Sequence, residues 1–243
     1  MKKNTNKKYF NISIKLVIVI LLSYVIYQQV FAKENAEEIW KNFLQNLTFD
    51  KIHWLFITAV LIPINWTFET LKWQVLIKDF EKLSFGKAYQ AILSGITFSL
   101  FTPNRIGEYG GRILLVKPEN NWKAVIATLV GSFSQLLVLL SCGILGLLLF
   151  IYLFLEIDQW IWLSIFFVGI LFTFLMLFCF YNIDLVIPIV KRIPFAYKLR
   201  RFVKDVNVLR NYSSSILSLA LLFSFLRYVT YTLQYFFMLQ FFG

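Results

Sequence analysis

The chain has 243 residues, of which 59% are hydrophobic, 19% are aromatic and 15% are charged. A soluble domain carries about 25% charged and about 45–50% apolar residues, whereas several apolar stretches here run for about 20 residues, enough to cross a hydrocarbon core as a helix. This composition excludes a soluble enzyme, a disulfide scaffold and a coiled coil, and it predicts an all-α, polytopic helical membrane protein.

Apolar segments divide the chain into about five spans within a single transmembrane domain over residues 1–243. The predicted spans are residues 12–31, 52–71, 124–155, 160–181 and 216–242. The first is expected to be an uncleaved helix. Its alternative is a signal peptide, because Val30-Phe31-Ala32 loosely resembles a cleavage site. The chain ends directly after an apolar segment, which leads us to expect a fragment of a longer protein.

A shorter apolar run, residues 91–101, has 11 residues and ends at Thr102-Pro103. It is too short to cross a bilayer and is typical of the first half-helix of a re-entrant hairpin, which enters and leaves the membrane on the same side. A second half-helix over residues 103–116 would lead back out, giving a re-entrant hairpin at about 86–116. The alternative is a loop helix at the cytoplasmic surface with solvated charges.

Charge bias supports this topology. The net charge is +11, and basic residues concentrate at 1–11, 72–87, 117–123 and 191–210. The positive-inside rule assigns all of these stretches to the cytoplasm only if the hairpin returns to its side of entry. We therefore predict a multi-pass protein of a bacterial inner (plasma) membrane with a cytoplasmic N-terminus. The spacing of apolar residues within the basic stretch at about 197–210 predicts a basic amphipathic helix on an anionic membrane surface.

The residue inventory excludes several chemistries. His53 is the single histidine, and Cys142 and Cys179 lie in apolar segments without metal-ligand spacing. No catalytic residue, metal site or cofactor is predicted, so an enzyme is the less favoured class. Because the basic residues lie between apolar segments, the expected partners are anionic membrane lipids and not nucleic acid.

The tip of the predicted hairpin carries residues suited to binding an anion. Thr102 can cap a helix whose first position is Pro103, and such a terminus offers free N–H groups and a positive dipole end. Arg105 in the first turn adds a full charge.

The helix after the tip places three charged residues on one face. Arg105, Glu108 and Arg112 follow at i, i+3 and i+7, so a carboxylate lies between two guanidinium groups. Gly107 contributes to a second face that permits close packing. We expect Glu108 to hold Arg105 when the site is empty.

The second span has a polar face near its cytoplasmic end. Asn65, Glu69 and Lys72 lie at i, i+4 and i+7. Charged residues inside a membrane segment indicate a functional site. The alternative for Glu69 is a structural ion pair with Lys72.

The last span contains Arg227 and Gln234. Because mostly apolar residues precede Arg227, we expect it to face the protein interior, with Glu69 or Glu108 as its acidic partner. A small polar patch at residues 131–135 in the long span predicts helix packing.

Four motifs in this order resemble one known family. They are Asn65-Trp66 with Glu69 and Lys72-Trp73, Pro103-x-Arg105-x-Gly107-Glu108, Gly131-Ser132-x-Ser134-Gln135, and Arg227-Tyr228 with Gln234. Together they resemble the lysylphosphatidylglycerol synthase transmembrane-region family over roughly the whole chain. The resemblance implies a helical, flippase-like module that moves an aminoacylated lipid between leaflets.

The chain departs from that family in two respects. It lacks the soluble lysyl-transferase domain, so lysyl transfer is not expected and a separate synthase or transferase becomes a possible partner. We also expect it to stop short of the family's full set of spans.

These patterns favour a flippase-like protein that translocates or binds an anionic phospholipid. The alternatives are a membrane-embedded transferase acting on a lipid-linked substrate, and a structural or assembly partner in the membrane. The residues expected to contact or move the head group are Thr102, Pro103, Arg105, Gly107, Glu108, Arg112, Asn65, Glu69, Lys72, Arg227 and Gln234.

Overall fold

A computed structural model describes residues 36–155, 157–192 and 200–243, together with positions 20, 23, 24 and 27. Every element in these stretches is helical. In chain order the α-helices are α1 Ala36–Asn46, α2 Ile52–Ile77, α3 Phe85–Leu100, α4 Gly107–Ile113, α5 Asn121–Phe154, α6 Gln159–Tyr181, α7 Val186–Arg192, α8 Arg200–Asp205 and α9 Ser214–Phe242.

Four helices in the described part of the chain are long and apolar enough to cross a membrane: Ile52–Ile77, Pro118–Phe154, Gln159–Tyr181 and Ser214–Phe242. The second of these includes a 3-10 turn, Pro118–Asn120, that leads into α5. The predicted class of a polytopic helical membrane protein is therefore confirmed. The predicted first span, residues 12–31, lies outside the described residues except at four isolated positions, so four spans agree with an expectation of about five.

The predicted hairpin is a helix–turn–helix whose second arm differs from the prediction. After α3, residues Pro103–Arg105 form a 3-10 turn, and α4 begins only at Gly107. Asn104 and Arg105 have φ angles of 52° and 58°, in the left-handed region that breaks a helix. The prediction of one continuous helix over residues 103–116 beginning at Pro103 is therefore wrong. Sequence spacing did not reveal this turn, because neither residue is a glycine.

Glycines bring the two arms of the hairpin into close contact. A Cβ atom at Gly111 would stand 2.6 Å from Gly95 Cα, and one at Gly107 would clash with the Phe98 carbonyl group. The prediction that Gly107 belongs to a close-packing face agrees with this geometry. Whether the hairpin enters and leaves on one side of the membrane stays a prediction.

The described residues form two compact units, one made of those up to position 58 together with 236–243, and the other of those between 59 and 235. In the first unit, Trp40 stacks on Phe43 with ring centroids 5.6 Å apart, and Phe43 lies 5.6 Å from the Phe241 ring. The second unit contains the hairpin and all the residues of the candidate site.

The core of the second unit joins α2, α3, α5, the start of α9 and the segment after α8. Trp73 on α2 is fully buried and donates a hydrogen bond from Nε1 to Thr128 Oγ1 over 3.1 Å. The Tyr212 hydroxyl, just before α9, donates to the Leu76 carbonyl over 3.1 Å. Burial raises the pKa of this hydroxyl, so Tyr212 stays neutral to a higher pH than an exposed tyrosine does.

The predicted amphipathic helix at about 197–210 is not one continuous α-helix in its described part. Six residues of α8 are followed by a 3-10 segment, Val206–Asn211. Val206, Val208 and Leu209 in this segment are buried in the protein core, while Lys204 and Arg210 are exposed. This part of the predicted apolar face therefore packs on protein, and the start of the predicted helix lies outside the described residues.

Apolar side chains on α6 face outward. Within this helix, all of which the structure describes, Phe180 is the one buried residue. Large residues such as Phe167, Leu171 and Phe174 are about two-thirds exposed. An apolar surface of this extent is the surface expected of a helix in contact with lipid chains.

Candidate functional site

Glu69 on α2 lies at the centre of a buried charge cluster. Its Oε2 forms an ion pair with Lys72 Nζ at 2.8 Å and accepts a hydrogen bond from Arg227 Nη1 at 2.7 Å, and its Oε1 accepts a hydrogen bond from Arg112 Nη2 at 2.7 Å. Glu69 and Lys72 are almost completely buried, as is Arg112. One carboxylate therefore connects α2 with α4 and α9. Removing one partner of such a buried pair costs about 3–5 kcal/mol.

The expected alternative for Glu69, an ion pair with Lys72, is present, but it is one of three. The two residues lie at i and i+3 on the same helix, so the sequence already brought them together. The contacts to Arg112 and Arg227 join residues 43 and 158 positions apart. Glu69 is therefore more than one member of a local ion pair, because it also joins distant parts of the chain.

Glu108 extends the cluster toward the hairpin tip. Its carboxylate accepts a hydrogen bond from Arg112 Nη2 and lies 3.5 Å from Arg105 Nη2. The predicted order of one carboxylate between two guanidinium groups is therefore present. Arg105 differs from Arg112 because its side chain is 62% exposed. The buried Nε of Arg112 has no hydrogen-bond partner among the described residues, and its guanidinium lies 5.9 Å from the centre of the Trp73 ring.

Arg227 faces the bundle interior, which confirms the prediction that an acidic group of the protein is its partner. Besides Glu69, it contacts Asn65 twice: Arg227 Nε donates to Asn65 Oδ1 at 3.0 Å, and Asn65 Nδ2 donates to the Arg227 carbonyl at 3.3 Å. The Tyr231 ring lies 5.5 Å from the guanidinium, in the geometry of a cation–π contact. The side chain is thus fixed from three sides.

The polar patch on α5 packs against both neighbouring helices, as predicted, and also reaches the cluster. Ser134 Oγ and Ser224 Oγ on α9 lie 2.8 Å apart, and Gln135 Nε2 donates to the Ser224 carbonyl at 3.2 Å. Gln135 Oε1 accepts a hydrogen bond from Lys72 Nζ at 3.4 Å. Sequence reasoning assigned Gln135 to packing alone. The signal for its wider role was its amide group in an otherwise apolar span.

An open cavity of about 200 Å³ borders the cluster. Its charged and polar lining consists of Glu69, Lys72, Arg105, Glu108, Ser132, Gln135 and Arg227. The other side is formed by Leu136 and Leu139 of α5, each about half exposed. Sequence reasoning did not identify these two leucines, because an apolar residue in an apolar span carries no distinguishing signal. The cavity joins a cationic wall to an apolar rim.

The remaining predicted residues lie apart from the charges. Thr102 Oγ1 accepts a hydrogen bond from the Gly107 N–H at 2.7 Å, so it closes the turn and occupies a donor that was expected to be free for an anion. Pro103 begins the exposed 3-10 turn. Gln234 lies two turns beyond Arg227 and does not line the cavity. The geometry therefore favours side-chain donors over a helix terminus.

The cluster offers guanidinium, ammonium and carboxamide groups, which suit an oxyanion. Among the residues that the structure describes, no three His, Cys, Asp or Glu side chains converge on a metal position. A phosphate could accept hydrogen bonds from Lys72, Arg105 and Arg227, whose side chains line the same cavity.

Comparison with known proteins supplies a family. The model of the lysylphosphatidylglycerol synthase TM region matches residues 12–243, which is nearly the whole chain. The search of curated proteins found no match, and neither did the search of solved structures. The order of motifs, the helical fold and this match agree. The chain belongs to the lysylphosphatidylglycerol synthase transmembrane-region family, a family of membrane proteins related to lipid handling.

Proposed function

We propose that this protein is a flippase-like integral membrane protein that binds the head group of an anionic lipid and moves it between leaflets. The observation that carries the proposal is the cavity beside Glu69, in which a cationic wall faces an apolar rim. A lipid has the same division between a charged head group and apolar chains. Family membership supports lipid handling as the general role.

The charge of the cluster favours an anion. Four cationic side chains, Lys72, Arg105, Arg112 and Arg227, contact two carboxylates, Glu69 and Glu108. Arg105 is mostly exposed, so three buried cations face two carboxylates and one buried positive charge remains unmatched. Such a charge, removed from water, is costly unless it is paired. A head group that carries a phosphate would supply the missing negative charge.

Arg105 is the cation best able to receive the head group. Its guanidinium is mostly exposed, and its one carboxylate contact in the described chain, to Glu108, is long at 3.5 Å. A guanidinium binds phosphate through two parallel hydrogen bonds, so a phosphate is a better partner for it than this distant carboxylate.

The apolar rim favours a lipid over a soluble anion. Leu136 and Leu139 line the cavity and also present about half of their surface outward from α5. A head group entering past these leucines would leave its acyl chains in contact with apolar surface throughout. We further propose an inner-membrane location with a cytoplasmic N-terminus, for which the distribution of basic residues is the support.

The test is leaflet exchange in proteoliposomes that contain a fluorescent phosphatidylglycerol in one arm and a fluorescent phosphatidylcholine in the other. We compare Arg105→Gly with Asn104→Gly. Both residues have left-handed φ angles, so glycine relieves the same backbone strain at either position. Only the first change removes a guanidinium.

We expect the unmodified protein to accelerate exchange of the anionic lipid over that in protein-free vesicles. Asn104→Gly should retain this activity, and Arg105→Gly should lose about 90% of it, since a charge-assisted hydrogen bond contributes about 1.5–3 kcal/mol. Equal exchange by both variants, or no acceleration by the unmodified protein, would refute the proposal.

A further inference from the structure

Glu69 has an unusual position among the charged residues. Its carboxylate forms ion pairs with three cationic side chains, each within 2.8 Å, and it also lines the cavity. It thus makes the contacts that a phosphate in the cavity would need, with the same kind of acceptor atoms. A head group and Glu69 would compete for the same donors.

Each cation bound to Glu69 has a second protein contact that does not involve this carboxylate. Lys72 donates to Gln135, Arg112 is paired with Glu108, and Arg227 donates to Asn65. These contacts come from α5, α4 and α2. Losing the Glu69 carboxylate would therefore leave three cations still oriented by the protein, which is the preorganisation that anion binding requires.

We propose that Glu69 is an internal counter-ion that the phosphate of the head group displaces. This inference rests on the proposed function and adds the residue that governs binding and release. In the empty protein Glu69 neutralises part of the cluster. When the lipid arrives, its phosphate takes over donors of Lys72 and Arg227, which line the cavity. When the carboxylate returns, it expels the head group.

The cavity has room for a head-group phosphate but not for a whole lipid. A volume of about 200 Å³ is below the range of roughly 300–1,000 Å³ found for pockets that enclose a whole drug-sized ligand. Displacement therefore concerns the phosphate and its immediate neighbours, while the acyl chains stay outside the rim formed by Leu136 and Leu139.

The proposal predicts that binding and exchange change in opposite directions in Glu69→Gln. The amide is close in size to the carboxylate but neutral, so one competing charge about 3 Å from each donor is lost. We expect about tenfold tighter binding of the lipid and at least about tenfold slower leaflet exchange, because release loses its competitor. A merely structural role would weaken both.

The matched control is Glu81→Gln. Glu81 is also buried, and it accepts a hydrogen bond from Asn120 Nδ2 at 2.8 Å, outside the cluster. This change removes one buried carboxylate in the same way, and it should alter neither binding nor exchange. Lys72→Gln combined with Glu69→Gln restores the original net charge and should return the affinity toward that of the unmodified protein.

The experiment measures binding by calorimetry in detergent, with dihexanoyl phosphatidylglycerol, dihexanoyl phosphatidylcholine and inorganic phosphate as separate probes, and then leaflet exchange in vesicles. No binding of the anionic lipid by the unmodified protein would overturn the proposed function. Equal affinity for inorganic phosphate and the anionic lipid would indicate a site for soluble anions and would also overturn it.

Displacement itself has a separate outcome. If the unmodified protein binds the anionic lipid but folded Glu69→Gln binds it equally or more weakly, the phosphate does not displace Glu69 and the inference is wrong. A melting temperature equal to that of Glu81→Gln establishes that the variant is folded. Should Glu69→Gln not fold, Glu69→Asp is measured instead. Its shorter carboxylate cannot reach all three cations, so it should bind the anionic lipid severalfold more tightly, and an unchanged or weaker affinity would contradict displacement.

Discussion

Replacing Gly111 by alanine tests how the hairpin positions the charge cluster. A Cβ at this position would stand 2.5 Å from the Ser94 carbonyl oxygen and 2.6 Å from Gly95 Cα, whereas ordinary contacts measure 3.4–4 Å. Both atoms belong to the backbone, so a change of side-chain rotamer cannot move them away. The arms of the hairpin must therefore separate by about 1 Å.

The adjacent Gly110 supplies a matched control, because a Cβ there would meet nothing within 4 Å. Gly110→Ala should stabilise the protein by about 0.5–1 kcal/mol through its helix propensity. Gly111→Ala should destabilise it by about 1–3 kcal/mol, the usual cost of overpacking.

The separation also affects the residue that follows Gly111. Arg112 Nη2 lies 2.7 Å from Glu69 Oε1. A displacement of about 1 Å lengthens this contact to about 3.7 Å, beyond the range of a hydrogen bond. We therefore expect Gly111→Ala to reduce leaflet exchange as well as stability.

Stability is measured by unfolding in mixed detergent micelles, followed by circular dichroism, and activity by leaflet exchange. Gly110→Ala should retain both. If Gly111→Ala unfolds at the same denaturant concentration as Gly110→Ala and exchanges lipid at the same rate, the close packing of the hairpin does not position Arg112, and the reasoning fails.

Two further predictions concern the core and the topology. Tyr212→Phe removes the hydrogen bond to the Leu76 carbonyl and should cost about 0.5–1.5 kcal/mol. Burial raises the pKa of Tyr212. Its stabilising contribution is therefore complete below the unfolded-state pKa of about 10 and declines as the pH rises above that value. If the unfolding free energies of the unmodified protein and Tyr212→Phe differ by the same amount at pH 8 and at pH 11, the assignment is contradicted. Single cysteines at Lys87 and Lys117, in a cysteine-free background, should react with an impermeant reagent from the same side, and labelling from opposite sides would exclude a re-entrant hairpin.

The long helices were predictable because their signal is local. Apolar runs of sufficient length identify spans whatever their neighbours are, and the predicted residues 160–181 nearly coincide with Gln159–Tyr181. Helix ends were less predictable. The span predicted at 52–71 continues to Ile77, because Trp73, Leu76 and Ile77 are buried in the core and extend the helix beyond the apolar run.

The hairpin tip was predicted in place but not in conformation. Sequence spacing located the break at Thr102-Pro103, since proline ends a helix. It did not predict left-handed φ angles at Asn104 and Arg105, which glycine usually signals. The capping role of Thr102 toward the Gly107 N–H followed from that unrecognised turn.

The candidate site was predictable only in its local pairs. Glu69 with Lys72, and Glu108 with Arg112, lie one turn apart and were visible from helical periodicity. The contact of Glu69 with Arg112 depends on how α4 packs against α2, and a single sequence holds no record of such packing. Arg227 was an intermediate case, because a buried charge needs a partner even before the partner is known.

The most direct test of the account is a structure of the protein in nanodiscs that contain phosphatidylglycerol. The account predicts a lipid phosphate in the cavity, with its oxygens within about 3.2 Å of Lys72 Nζ and the Arg227 guanidinium, and with the Glu69 carboxylate no longer bonded to them. A structure with lipids along α6 but a cavity free of any head group, and with Glu69 still bonded to all three cations, would contradict it.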